Sequence, residues 1–356
     1  MREAGTEVHV LAGPADAVDD PPMAARRALR RLPEPLRGAH RDASSFVLGA
    51  AWAARVVGRI RPFQPTALIE RAQYLDPSGA ILANRLGVPY IVELHGMLAA
   101  DAKGYYRSPF EPLGSLYERV RYRHVDAVVA VSEGLRRFAV DMGARRAVVI
   151  PNGVDLPTAV APRAEAVAKL RRTLDLPDRR IVGWIGHLMD WQASSIEDLC
   201  EALAVVGRST PVALVVVGTM GSSATAMLDR AEIPVRMLGQ LPRDAADDVV
   251  RGFEVGFVPG GLDYALPVKL FQYAALEVPI VAPMLGSIAA FAAGRELFFG
   301  YADGDRLGIA NALREALRAE DGEDRVRELH ELVMSEHSWR AVARHLLEVV
   351  DDARRP

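Results

Sequence analysis

The residues with the most chemical promise lie between Gly256 and Pro283, in GFVPGGLDYALPVKLFQYAALEVPIVAP. The pattern is an apolar strand, a loop carrying Gly260 and Gly261, a helix, and a second apolar strand. Pro267 suits the first helical position, where its missing N–H costs nothing. A turn that leaves a parallel strand and enters a helix holds free N–H groups above the sheet. Those groups and the helix dipole suit a phosphate. Leu266, Pro267, Val268 and Leu270 are candidate binding residues along the turn, and Lys269 adds a positive charge in the first helical turn. Many α/β proteins own such a turn and never use it, so the rest of the chain has to decide.

The surrounding elements supply the scaffold. In the first half, Glu7–Gly13 reads as a strand almost at the start, without the strand and glycine turn that normally open an α/β domain. Either the chain is truncated or this domain does without them. A proline-bearing stretch over 13–43 holds a basic run with Arg26, Arg27, Arg30, Arg31, Arg37 and Arg41. Its first reading is a solvated helix face ending at the Pro33-Glu-Pro35 break. Its sharper reading is weak peripheral contact with an anionic membrane surface. Then come a helix over Ser44–Ile60, strands at Ala67–Glu70, Tyr90–Glu93, Asp126–Ser132 and Ala147–Ile150, and helices at Gly79–Leu86 and Glu133–Met142. After a linker and helix over 156–178, a second series begins. It places strands at Ile181–Gly186, Val212–Val217, Pro234–Leu238, Val255–Val258, Pro279–Ala282 and Leu297–Gly300. Helices at Ser195–Val206 and Asp244–Arg251 lie between them, and helices near Asp305–Arg318 and Ser338–Asp352 close the chain. Strands alternating with helices at this spacing mean parallel sheets covered on both faces. The expected architecture is α/β, with two Rossmann-like domains.

Composition narrows the function. A chain of 356 residues exceeds one ordinary core. Half of it is hydrophobic and a quarter charged, a globular balance. A net charge of -3 gives no reason to expect nucleic acid. The one cysteine, Cys200, excludes an intramolecular disulfide framework and a cysteine-based metal cluster. No segment reaches the length of a membrane span, and the N-terminus lacks the apolar core of a signal peptide. A cytoplasmic location is expected.

Three segments carry a resemblance: ALIERAQYLDPSGAILANRLGVPYIVELHG, VVAVSEGLRRFAVDMGARRAVVIPNGVD and PVKLFQYAALEVPIVAP. Their order and spacing resemble the group 1 (family 4) retaining glycosyltransferases of the GT-B fold, from Glu7 to the helix at Trp339. The resemblance implies two Rossmann-like domains facing across a cleft, the first apparently lacking its first strand. An acceptor domain would span 1–157 and a nucleotide-sugar domain 158–338, with the helix over 339–356 packing back on the first. His95 takes the position of the histidine that faces the donor sugar, with Glu93 and Asn152 on the acceptor side. Gly186, Gly218, Gly260 and Gly261 fall at donor-binding turns, with the base near Gly218-Thr219 and Gly239–Leu241. Two departures stand out. Tyr264 and Gln272 occupy positions usually held by glutamates; Gln272 keeps hydrogen-bonding capacity toward a ribose with less charge assistance. His187 and Gln192 stand where the family places an arginine and a lysine against the diphosphate, so Lys269 and the helix N-terminus would carry more of that work. No DxD pair suggests a metal, Asp247-Asp248 reads as an exposed helix face, and no cofactor beyond the nucleotide sugar is expected.

The reading is therefore a metal-independent, retaining transferase that moves sugar from a nucleoside-diphosphate sugar to an unidentified acceptor, with His95, His187 and Lys269 as its catalytic residues. The alternative is a weak or inactive GT-B homologue serving as a partner of an active enzyme. A phosphorylase or an epimerase on the same fold would need basic or acidic groups that the sequence does not assemble.

Overall fold

The computed structural model describes residues 6–11, 33–106, 108–155, 161–188, 193–318 and 322–355. The chain divides into two compact units, Met1–Pro151 with Ala343–Pro356, and Asn152–Val342.

Among the described residues, the first unit holds a four-stranded sheet, β1 (Leu68–Arg71), β2 (Tyr90–Leu94), β3 (Ala127–Ala130) and β4 (Ala147–Val149). The strands run in that spatial order and pair in parallel. β3 is buried throughout and β2 nearly so, which is why both read as continuous apolar runs. The helices are α1 (Glu34–Ile60), α2 (Ser78–Leu86), α3 (Leu98–Tyr106), α4 (Glu111–His124) and α5 (Glu133–Asp141). α5 starts at Ser132, whose hydroxyl accepts from the Leu135 N–H at 3.3 Å.

Three expectations change here. No strand forms over 7–11, where His9 instead stacks on Phe63 at 4.0 Å and contacts Glu7 at 3.0 Å; residues 12 and 13 lie outside the described residues. α1 begins ten residues earlier than expected, at Glu34 rather than Ser44, and Pro33-Glu-Pro35 starts the helix instead of breaking it. Proline in a first turn removes an N–H that would have had no intrahelical acceptor. Helices α3 and α4 were not anticipated; on α4 the side that is buried carries Glu118 and Arg121 rather than the apolar residues.

The second unit carries a six-stranded parallel sheet of β5 (Arg180–Ile185), β6 (Val212–Val217), β7 (Val235–Met237), β8 (Val255–Phe257), β9 (Ile280–Pro283) and β10 (Phe299–Tyr301). Its helices are α6 (Arg163–Thr173), α7 (Ala193–Gly207), α8 (Ser222–Leu228), α9 (Arg243–Arg251), α10 (Val268–Ala275), α11 (Gly286–Ala292), α12 (Arg306–Arg318) and α13 (Gly322–Glu336); α14 (Trp339–Ala353) follows. Alternate residues of β6 serve two cores: Val212, Leu214 and Val216 join one, Ala213, Val215 and Val217 the other. The spatial order is β10-β9-β8-β5-β6-β7. From β5 the chain winds outward through β6 and β7, then returns to the other side of β5 with β8. That reversal leaves a crevice beyond the carboxyl ends of β5 and β8, where open α/β sheets take their ligands.

Candidate active site

In the second unit, the segments after β5, β6 and β8 converge on this reversal point. Gly186 follows β5 with φ +135°, and Gly218 follows β6 with φ +118°. The Gly186 N–H donates to the Val217 carbonyl at 3.0 Å, and the Gly218 N–H to the Gly239 carbonyl at 2.7 Å. The two turns are so close that a Cβ on Gly218 would lie 2.0 Å from the Gly186 carbonyl oxygen. Beyond them His187 is exposed, and its Nδ1 shares a hydrogen bond with the Thr219 hydroxyl. Gly260 and Gly261 follow β8, and Asp263 ties their loop to α11 by accepting from the Gly286 N–H at 2.7 Å.

Lys269 enters the same place from α10. Its Nζ sits over the Trp184 ring, 4.1 Å from the centroid, and a Cβ on Gly186 would be 3.5 Å from it. Trp184 is fully buried on β5, so the stack holds the lysine beside the glycine turn. No carboxylate among the described residues pairs with this ammonium, and burial lowers its pKa to about 7. An anion arriving here would supply the missing counter-charge. Beneath, the buried Tyr273 hydroxyl receives the Ile185 N–H at 3.1 Å and lies 3.4 Å from the carbonyls of Gly183 and Phe257. α10 thus fixes the ends of β5 and β8 to each other.

The remaining predicted donor residues divide. Pro267 is the N-cap of α10 rather than its first helical residue, because its ψ of 132° is extended. Leu266 and Leu270 are core side chains, so only their backbone is open to a ligand; the Leu270 N–H already donates to the Pro267 carbonyl at 3.0 Å. Val268 is exposed. Gln272 donates to Asp247 Oδ1 on α9 at 2.7 Å. Asp247 is therefore not the bare surface acid that the sequence suggested, whereas Asp248 is exposed and pairs with Lys169 at 3.1 Å. Gln192 lies outside the described residues. Asn152 is the first residue of the second unit, just ahead of the bridge between Val154 and Ser338.

In the first unit, His95 stands directly after β2, and its Nε2 lies 3.1 Å from Glu93 Oε1. That contact, helped by Arg71 opposite Glu93 on β1, holds the Glu93 carboxyl below its ordinary pKa. His95 and Gly96 border a cavity of about 1010 Å³ whose lining includes Glu70, Arg71, Tyr74 and Asp101. Behind it runs a buried polar network that sequence reasoning missed. Glu70 accepts from the Tyr90 hydroxyl, from Ser78 Oγ at 3.3 Å and from the Gly79 N–H at 3.2 Å, so it caps α2. Burial raises its pKa, and the charge of Arg121 opposes the rise. The Arg121 guanidinium donates to the Gln73 carbonyl at 3.1 Å, to the Asp76 carbonyl, and to the Tyr117 hydroxyl at 2.8 Å. The one available signal was a charge inside the short strand LIER, which a half-solvated strand would explain equally well. Of the basic run, Arg26–Arg31 lie outside the described residues, while Arg41 borders the cavity and pairs with Asp42 at 2.8 Å.

Residues 1–157 match the family described as Glycosyltransferase Family 4. HepE of Anabaena, solved in complex with UDP, is similar over 84% of this chain and 82% of its own, with 17% identity and a TM-score of 0.70. Sucrose-phosphate synthase of Thermosynechococcus elongatus aligns over 86% and 78%, with 16% identity and a TM-score of 0.68. The UDP-forming trehalose-phosphate synthase of Burkholderia vietnamiensis aligns over 90% and 80%, with 15% identity and a TM-score of 0.67. The chain thus shares the GT-B fold of these proteins, and its residues 1–157 match a glycosyltransferase family domain. A search of curated protein sequences gave no significant match. The matched residues include the cavity of the first unit, while 343–356 of that unit lie outside the match. The glycine turns and Lys269 belong to the second unit, where likeness of fold is the evidence.

Proposed function

We propose that the chain is a glycosyltransferase that moves a sugar from a nucleoside-diphosphate sugar to an acceptor, with retention at the anomeric carbon and without a metal. The observation that carries the reading is the convergence of Gly186, Gly218 and Lys269 on the reversal point of the second sheet. Two glycine turns admit a diphosphate against the backbone, and a poorly solvated ammonium gains most from meeting one. HepE, with the same fold, has been solved with UDP and with UDP-glucose, which supports a donor of this class.

The chemistry would proceed by breaking the bond from the anomeric carbon to the diphosphate oxygen. The negative charge developing on the leaving diphosphate is met by Lys269 and by the N-terminal amides of α10. The acceptor oxygen forms its bond on the face that the diphosphate leaves, and its proton passes to a phosphate oxygen. This requires no protein nucleophile. His187 adds a polar group at the end of β5, and its bond to Thr219 orients the ring. The first-unit cavity beside His95 and Glu93 is the proposed acceptor site.

Calorimetric titration with UDP, GDP, dTDP and ADP, each free and as a sugar conjugate, tests the donor site. One nucleotide should bind, and Lys269→Ala should weaken it by at least tenfold, about 1.4 kcal/mol. Failure of all of them to bind would refute the donor site. Binding without turnover across a broad acceptor panel would instead favour a catalytically weak partner subunit.

A further inference from the structure

Helix α4 is inside out. Its buried residues are Gly114, Glu118, Arg121 and Tyr122, while Leu113, Leu116 and Val120 are 55%, 57% and 48% exposed. A helix on a water-facing surface does the reverse. The buried charges are explained by their partners. Glu118 receives the Ala99 N–H at 3.0 Å and the Tyr122 hydroxyl at 2.9 Å, and Arg121 holds the 73–76 loop and Tyr117. Among the described residues of the first unit, nothing covers the exposed leucines.

Phe110, Leu113, Leu116 and Val120 follow each other at three- and four-residue spacing and form one stripe along the helix. Phe46 of α1, itself 46% exposed, meets Tyr117 edge-on at 6.3 Å and extends the apolar surface onto a second helix. The charges around it are of one sign. Arg119 and Arg123 are exposed on α4 beside the stripe, whereas the exposed Arg37, Arg55 and Arg59 of α1 lie roughly half a turn around that helix from Phe46 and do not border it. Of the acids, Asp42 and Glu118 are buried, and Glu111 is partly covered and paired with Lys103 at 3.4 Å. Among the described side chains, neither helix exposes an acid on its surface, although the chain as a whole carries a net charge of -3.

We propose that the outer face of α4, with the adjoining surface of α1, docks on an anionic lipid surface. A stripe of leucine, valine and phenylalanine bordered by arginines is the pattern of a helix lying in the plane of an interface. The apolar side chains enter the boundary between headgroups and acyl chains, and the arginines meet lipid phosphates. The contact is peripheral, since no helix among the described residues is long and apolar enough to cross a membrane. Docking also sets the cavity near the lipid. A Cβ on Gly114 would lie 2.3 Å from the Tyr74 ring, and Tyr74 lines that cavity.

Flotation of the full chain with vesicles tests this, using phosphatidylcholine alone or an equal mixture with phosphatidylglycerol. The protein should float with the mixed vesicles only, and less so as salt rises to about 0.15 M. Arg119→Gln with Arg123→Gln should weaken partitioning about 25-fold, roughly fivefold per charge. Leu113→Ser, Leu116→Ser and Val120→Ser together should abolish flotation without lowering the unfolding midpoint. If the serines do disturb folding, the glutamine pair still decides. No flotation at low salt, equal flotation with phosphatidylcholine alone, or flotation unaltered by the glutamine pair would overturn the proposal. So would a wild-type dimer that the serine variant turns into a monomer, because the stripe would then be a subunit interface.

Discussion

Lys269 makes the donor site testable through protons. Burial beside Trp184 brings its pKa to about 7, against 10.5 for a solvated lysine. The free protein at pH 8 therefore holds this side chain roughly nine-tenths neutral, whereas a bound diphosphate requires the ammonium. Binding at pH 8 should accordingly take up about 0.9 proton. If the complex stays protonated throughout, affinity should fall about 24-fold between pH 7.5 and pH 9, close to the tenfold-per-unit limit. Terminal-phosphate ionisation of the nucleotide is complete in that range and does not mask the effect. Calorimetry in buffers of different ionisation enthalpy gives the proton count directly. Lys269→Gln should weaken binding at pH 7.5 and flatten its pH dependence. A pH-independent wild-type affinity with no proton uptake would refute the argument, either because Nζ is better solvated than its geometry indicates or because it does not meet the phosphate. The sign for stability is opposite to that of a salt bridge. The folded pKa lies below the unfolded one, so the desolvation cost is complete below pH 7 and is relieved as pH rises from about 7 toward 10.5.

Other substitutions probe the scaffold. Gly218→Ala places a methyl 2.0 Å from the Gly186 carbonyl oxygen at a φ of +118°; thermal unfolding should show a loss of about 1–3 kcal/mol, with weaker nucleotide binding. Arg121→Met leaves the Gln73 and Asp76 carbonyls without their donor and Glu70 without its cation. Urea unfolding should report about 3–5 kcal/mol lost, and a loss below about 1 kcal/mol would mean that water replaces the guanidinium. Gln272→Glu sets a second carboxylate 2.7 Å from Asp247. Repulsion raises the coupled carboxyl pKa, so the variant should be less stable than wild type at neutral pH and recover as pH falls through about 4–5, seen as converging unfolding midpoints.

What could be read from the sequence was whatever local chemistry decides. The strands of the second sheet were found within a residue or two, most closely at Val212–Val217, where both faces are buried and the apolar run is continuous. The loop of Gly260 and Gly261 and the place of Lys269 in the first turn of α10 were legible because a strand–turn–helix is written in consecutive residues. What escaped was every contact between distant segments. Trp184 and Lys269 lie on different elements, and neither sequence position announces a stack. Nothing in the sequence links Glu70 with Arg121, which the fold brings close enough for the arginine's charge to act on the carboxyl. Asp247 read as solvated until Gln272 claimed it. α4 is the sharpest case, because its periodicity argues for burying Leu113, Leu116 and Val120, and the structure buries Glu118 and Arg121 instead. Hydrophobicity did not decide its orientation. The open carbonyls of Gln73 and Asp76 and the free Ala99 N–H had to be satisfied, and only the charged side of α4 carries groups that reach them. A buried unsatisfied group costs about 1–3 kcal/mol, comparable to exposing a leucine, so three such debts can outweigh an apolar stripe. They do so more readily where a lipid surface covers the stripe, which links the inversion of α4 to the docking proposed for it.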